Sequence, residues 1–103
     1  MSDLERRFHD AMVDIYRRAR SDCYYHASRF VQMVGEIGGL ETARRLLSTD
    51  EMQSGLYELW RCGKPEISVE YLVLQPEWQD LFTEEHRARA RARLKQLGFE
   101  VRP

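Results

Sequence analysis

The sequence predicts an all-α protein: a single compact helical domain of five to six helices with a long N-terminal helix, spanning residues 1–103. Three observations predict it. Apolar residues recur every three or four positions through most of the chain, the spacing of one face of a 3.6-residue period. Glycines and prolines fall between the periodic runs, at Gly38-Gly39, Gly63, Pro65, Pro76 and Gly98, where helices stop or start. Strand-like alternation is confined to residues 67–71, which have no second strand to pair with.

The first element is a helix over residues 3–37. Leu4, Phe8, Met12, Ile15, Tyr16, Ala19, Cys23, Ala27, Phe30, Val31, Val34 and Ile37 form its apolar face, with arginines and aspartates between them. Ser2 or Asp3 caps its start, and Gly38-Gly39 ends it. A straight helix of this length reaches roughly 50 Å, whereas a compact chain of this size has a radius of gyration near 13 Å. Either the helix breaks around Arg20-Ser21-Asp22, or a second copy of the chain covers the overhang. The apolar face widens after Ser21, so the second half is expected to be buried. The first half, with Phe8, Met12, Ile15 and Tyr16, is the candidate interface for a partner or a homodimer.

The remaining elements are shorter. Residues 40–47 read as a helix with Leu40, Ala43, Leu46 and Leu47 inward and Arg44 and Arg45 outward. Residues 52–62 read as another, with Leu56, Leu59 and Trp60 apolar and Tyr57 beside them, closed by Gly63 and Pro65. Ser68 caps a short helix over 69–74, preferred to the strand reading. Pro76 opens a further short helix over 77–82. Thr83, followed by Glu84 and Glu85, starts the last helix, which runs to 96 or 97 and stops at Gly98. Phe99 is placed to fold back after that glycine.

The net charge of −1 conceals a layout. Residues 1–49 sum to +1, residues 50–85 to −7 and residues 86–103 to +5. An acidic middle and a basic tail helix either lie against each other or face two partners. No apolar run approaches the roughly 18 residues of a membrane span. The charged N-terminus has no apolar core of a secretory signal, so a cytoplasmic protein without membrane contact is expected. Cys23 and Cys62 are accordingly read as reduced thiols, although a disulfide between them stays open.

The runs Gly38-Gly39-Leu40…Ala43…Leu46-Leu47, Ser54-Gly55-Leu56…Leu59-Trp60…Gly63 and Ser68-Val69-Glu70…Leu72-Val73-Leu74…Pro76…Trp78…Leu81-Phe82-Thr83…Ala90-Arg91…Leu94 form a pattern, which Phe8-His9…Met12…Ile15-Tyr16 extends. It resembles a small bacterial all-helical family of unassigned function, over most of the chain. The resemblance implies a shape and no catalytic residues, because the matching positions are mostly glycines and core-type apolars. Lys64-Pro65 departs from the pattern, which expects a more helix-friendly or acidic connection.

Catalytic chemistry finds little to stand on. Glu5 with His9, and Asp22 with His26, sit four apart and could share a metal, and Cys23 with His26 could give two zinc ligands. A closed zinc site needs four, so no metal and no cofactor is expected. Cys23 lies on an apolar stripe, where cysteine behaves as a small hydrophobe. No phosphate loop and no nucleophile turn is present. Glu66 and Glu70 are four apart, but a solvated acidic face explains them. The aromatic residues sit mostly at core spacing.

The tail helix is the most distinctive stretch. Arg87, Arg91 and Lys95 form one stripe, Arg89 and Arg93 a second, and Ala90, Leu94 and Leu97 face the core between them. Arginines in such rows suit phosphates, since a guanidinium donates in pairs and keeps its charge. The overall acidity, with a pI near 6.3, speaks against nucleic acid. The expected function is therefore a non-enzymatic helical module for protein–protein contacts. The alternative is a nucleic-acid-binding accessory protein acting through Arg87, Arg89, Arg91, Arg93 and Lys95.

Overall fold

The computed structural model describes residues 2–49 and 54–99. Among them are six α-helices and two 3-10 segments, and no strand. The helices are α1 (Asp3–Cys23), α2 (Ser28–Ile37), α3 (Gly39–Leu46), α4 (Ser54–Arg61), α5 (Val69–Val73) and α6 (Glu84–Gln96), with 3-10 turns at Pro65–Ile67 and Pro76–Leu81. The radius of gyration is 12.5 Å. No described helix is long and apolar enough to cross a membrane.

The 3–37 helix is two helices. Ser2 Oγ accepts from the Glu5 amide and opens α1 as expected. The break falls just beyond the Arg20-Ser21-Asp22 triplet, at Tyr24, whose φ of 53° is left-handed. A side chain there costs about 1–2 kcal/mol against the right-handed form. The neighbouring residue holds the corner by another route: Cys23 is bonded to Cys62. The reading of both cysteines as reduced thiols is thereby corrected. Their Cα atoms lie 5.7 Å apart across 39 residues of sequence, a proximity that helical patterns alone do not reveal.

Burial runs opposite to the expectation for these two halves. Phe8, Met12, Ile15 and Ala19 of α1 are buried, whereas only Val34 of α2 is. The reason is what packs on each: α1 is crossed by α2, α3 and both 3-10 turns, so its stripe becomes the core. Phe8 sits at the centre, with its ring edge-on to Trp78 at 5.3 Å and to Phe82 at 5.2 Å.

The two glycines after α2 do different work. Gly38 has φ 86° and ψ 161°, a conformation essentially reserved for glycine. Gly39 lets α3 approach α1: a Cβ there would stand 2.8 Å from the His9 backbone. The Gly39 amide, a free donor at the start of α3, goes to His9 Nδ1 at 2.9 Å. His9 is therefore a capping residue for another helix.

The later elements follow the sequence closely. Ser68 Oγ accepts from the Tyr71 amide, so 69–73 is helix and the strand reading falls away. Pro76 opens a 3-10 turn in place of an α-turn. Thr83 Oγ1 accepts from the His86 amide, while His86 Nδ1 accepts from the Thr83 amide, a reciprocal cap. Gly98 is left-handed at φ 79°, and Phe99 returns to lay its ring against Tyr71 at 5.8 Å. The start of the expected 52–62 helix lies outside the described residues.

Candidate functional site

The tail arginines do not form a phosphate-facing row. Arg93 is 5% exposed and Glu70, on α5, is 3% exposed. They meet at 3.1 Å in the interior. Arg93 also donates to the carbonyls of Leu46 at 2.8 Å and Thr49 at 2.6 Å. Arg89 donates to the carbonyl of Leu47 and pairs with Glu85. Arg87 donates to the carbonyls of Gln79 and Phe82 and to Glu84. Arg91 pairs with Glu84. Of the five residues proposed for nucleic acid, Arg93 is corrected to a buried structural residue, Arg87 and Arg89 are half-buried with donors committed inside the chain, and Arg91 and Lys95 are exposed.

The physical cause is the geometry of helix ends. The last carbonyls of a helix lack amide partners, and its C-terminal end attracts cations. Leu46 and Leu47 end α3, Thr49 lies in the bend just after it, and Phe82 ends the second 3-10 turn, where the Gln79 carbonyl also accepts the Phe82 amide. Arginines of α6 reach across and satisfy those carbonyls. Arg44, expected to point outward, does the same to Leu81 at 3.0 Å. The acidic middle meets the basic tail helix at Glu70 and Arg93, whereas Glu84 and Glu85 pair with arginines of their own helix, α6.

The charges respond as this packing requires. Burial pushes the Glu70 carboxyl above its usual range, while Arg93 pulls it back down. Hydrogen bonds from Arg87 and Arg91 hold the Glu84 carboxyl below its usual range. Burial, and then the positive charge of Arg44, lower the His86 imidazole. Burial, and then Glu58, raise the Tyr25 hydroxyl.

The interface proposed on α1 is not a surface either. Phe8 and Met12 are fully buried and Ile15 nearly so in the chain's own core, and Tyr16 is half-buried. Exposed apolar side chains occur elsewhere. On α4, Leu56 and Leu59 face inward, and Tyr57 and Trp60 face outward at 46% and 41% exposure. Their rings lie 5.7 Å apart. Tyr24, at 86% exposure, stands beside Cys23, the other half of the bond that anchors the end of α4. The placement of Trp60 on the apolar face of this helix with Leu56 and Leu59 is corrected: it is exposed. Helical phase is a signal for Tyr57, which falls off the Leu56–Leu59 stripe, but not for Trp60, which lies four residues after Leu56.

Among the described residues no three His, Cys, Asp or Glu side chains gather where they could hold a metal. His9 caps α3, and His86 caps α6. Glu66 lies in the 3-10 turn before α5, and Glu70 is committed to Arg93. No protein-family model matches the chain, and comparison with curated proteins and with solved structures found no match either.

Proposed function

We propose that the protein is a non-enzymatic interaction module that docks another protein on the outer face of α4. The supporting observation is the Tyr57–Trp60 pair, two large amphipathic rings in mutual contact on the outside of a helix that is held at its end by a disulfide. Tryptophan and tyrosine dominate the energetics of protein interfaces. A surface fixed before binding loses little conformational freedom on docking.

The charged groups beside the pair are of both signs: Arg20, Asp22 and Lys64 are exposed and have no ion-pair partner among the described residues. A partner with an apolar centre and a rim of mixed charge complements them. The bond also bears on location. Disulfides persist in oxidising compartments, so the closed pair favours such a setting over the cytoplasm expected from the sequence.

A photo-crosslinking amino acid at Tyr57, with a control at exposed Ala92 on α6, tests the proposal in the native cell. The expected result is a discrete protein adduct from position 57 that weakens with salt and is lost in Trp60→Ala. Absence of an adduct at 57, or equal adducts at 57 and 92, would remove α4 as the docking face.

A further inference from the structure

A second feature lies on the inner side of α4, separate from the aromatic face. A half-open cavity of about 210 Å³ runs between α1, α2, α4 and the start of α5. Its walls include Ile15, Leu56, Leu59, Ile67 and Val69, all buried aliphatic side chains. An apolar cavity of roughly 150 Å³ is large enough to hold benzene. Protein interiors normally close such spaces, because unfilled volume forfeits packing contacts.

Among the described residues, Glu70 and Arg29 are the charged side chains that line it. Glu70 is committed to Arg93. Arg29, in the first turn of α2, is exposed and has no hydrogen bond or ion pair among the described residues. The cavity therefore offers apolar walls for a ligand's body and one uncommitted guanidinium for its head. A guanidinium with all its donors free is suited to a carboxylate, which it can grip in bidentate fashion.

We infer that this cavity is a binding site for a chain-like amphiphile with an anionic head, of the class of medium-chain aliphatic carboxylates. The tail lies among Ile15, Leu59 and Val69, and the carboxylate meets Arg29 at the mouth. Beside the aliphatic residues, Tyr16, Tyr25, Phe30 and Met33 also line the cavity, and this largely apolar lining accepts a flexible chain. A carboxylate head is favoured over a cationic one, because among the described residues the uncommitted charge in the lining is that of Arg29. The site uses α4's inner residues Leu56 and Leu59, so it does not depend on what docks on Tyr57 and Trp60.

Methyl NMR of the full chain, titrated with octanoate below its micellar concentration and separately with 1-octanol, tests this. Saturable shifts confined to the methyls of Ile15, Leu59, Ile67 and Val69 are expected with both probes. Arg29→Gln, an exposed change that leaves the core intact, is expected to weaken octanoate roughly five-fold and to leave 1-octanol unchanged. Absence of saturable shifts at these methyls would overturn the site. Equal weakening of both probes by Arg29→Gln would overturn the role of the guanidinium. Shifts of the same methyls on raising protein concentration alone would show that a second copy fills the cavity, and would overturn the small-molecule assignment.

Discussion

Helices α4 and α6 invert the usual division between surface and interior. On α6 Arg87, Arg89 and Arg93 turn toward the chain and spend donors on backbone carbonyls and carboxylates, while exposed Arg91 pairs with Glu84. On α4 a tyrosine and a tryptophan turn outward. Residue type alone assigns both helices the other way. The difference teaches that backbone supply and demand decides where an arginine goes. Closing α3 and the second 3-10 turn leaves carbonyls that need donors, and α6 passes close enough to provide them. No comparable demand draws Tyr57 and Trp60 inward, because Leu56 and Leu59 already fill α4's buried stripe.

The sharpest way to break this comparison is to remove one charge from inside it. Arg93→Met leaves Glu70 buried without its Arg93 partner and removes the donors that Arg93 gives to the Leu46 and Thr49 carbonyls. A loss of about 3–5 kcal/mol is expected in urea unfolding at pH 7. The deficit has a pH signature. Burial raises the folded-state pKa of Glu70, so the folded form takes up a proton before the unfolded chain does. The unfavourable charge is then present at neutral pH and relieved as pH falls toward the unfolded value near 4.5. The Arg93→Met deficit should therefore shrink on acidification over that range. A surface arginine would show neither the size of the loss nor its pH dependence.

Opening the disulfide is next in size. Cys23 and Cys62 close a loop 39 residues long, and the chain-entropy relation gives about 3–4 kcal/mol for a loop of that length. Cys23→Ser with Cys62→Ser should lower the urea midpoint accordingly. It should also free the α1–α2 corner, read as faster amide exchange at Tyr24 and Tyr25. Unchanged exchange there would mean that the bond does not hold the corner.

Gly39→Ala is expected to cost about 2–3 kcal/mol, because the added methyl meets His9 backbone rather than a movable side chain. A thermal melt checks it. A loss under about 0.5 kcal/mol would show that α1 and α3 are not held at this distance.

The smallest expected effect is at His86. Its folded-state pKa is depressed, so the unfolded chain binds protons more readily. Stability is then full above the unfolded value near 6.5 and is lost as pH falls through the folded value. His86→Gln should flatten the stability profile between pH 7 and pH 5.5, measured by urea midpoints across that range.

The sequence carried the local structure well, and for local reasons. Ser2, Ser68 and Thr83 cap the helices they precede, since a cap bonds within three residues. Gly38 and Gly98 end helices by their own backbone freedom. The functional surfaces were read less well because they depend on contacts far apart in sequence. Glu70 and Arg93 are 23 residues apart, and Cys23 and Cys62 are 39 apart. A signal for the first pair did exist: Glu70 is a lone acid within the otherwise apolar 67–74 run, and Arg93 adjoins Leu94 on the buried face. For α1 the periodicity identified the apolar stripe correctly but not which neighbour would cover it. That cover is α2, α3 and the two 3-10 turns, with α3 admitted closely by Gly39 and Trp78 and Phe82 set against Phe8, and it turns the expected interface at Phe8, Met12 and Ile15 into core.

The inversion between α4 and α6 is tested most directly by equilibrium unfolding of Tyr57→Ser with Trp60→Ser, compared with the parent chain at pH 7. Two rings that each keep over two-fifths of their surface in water should cost no more than about 3 kcal/mol in total when truncated. A loss of about 6 kcal/mol or more would show that they belong to the core and would contradict α4 as a docking face.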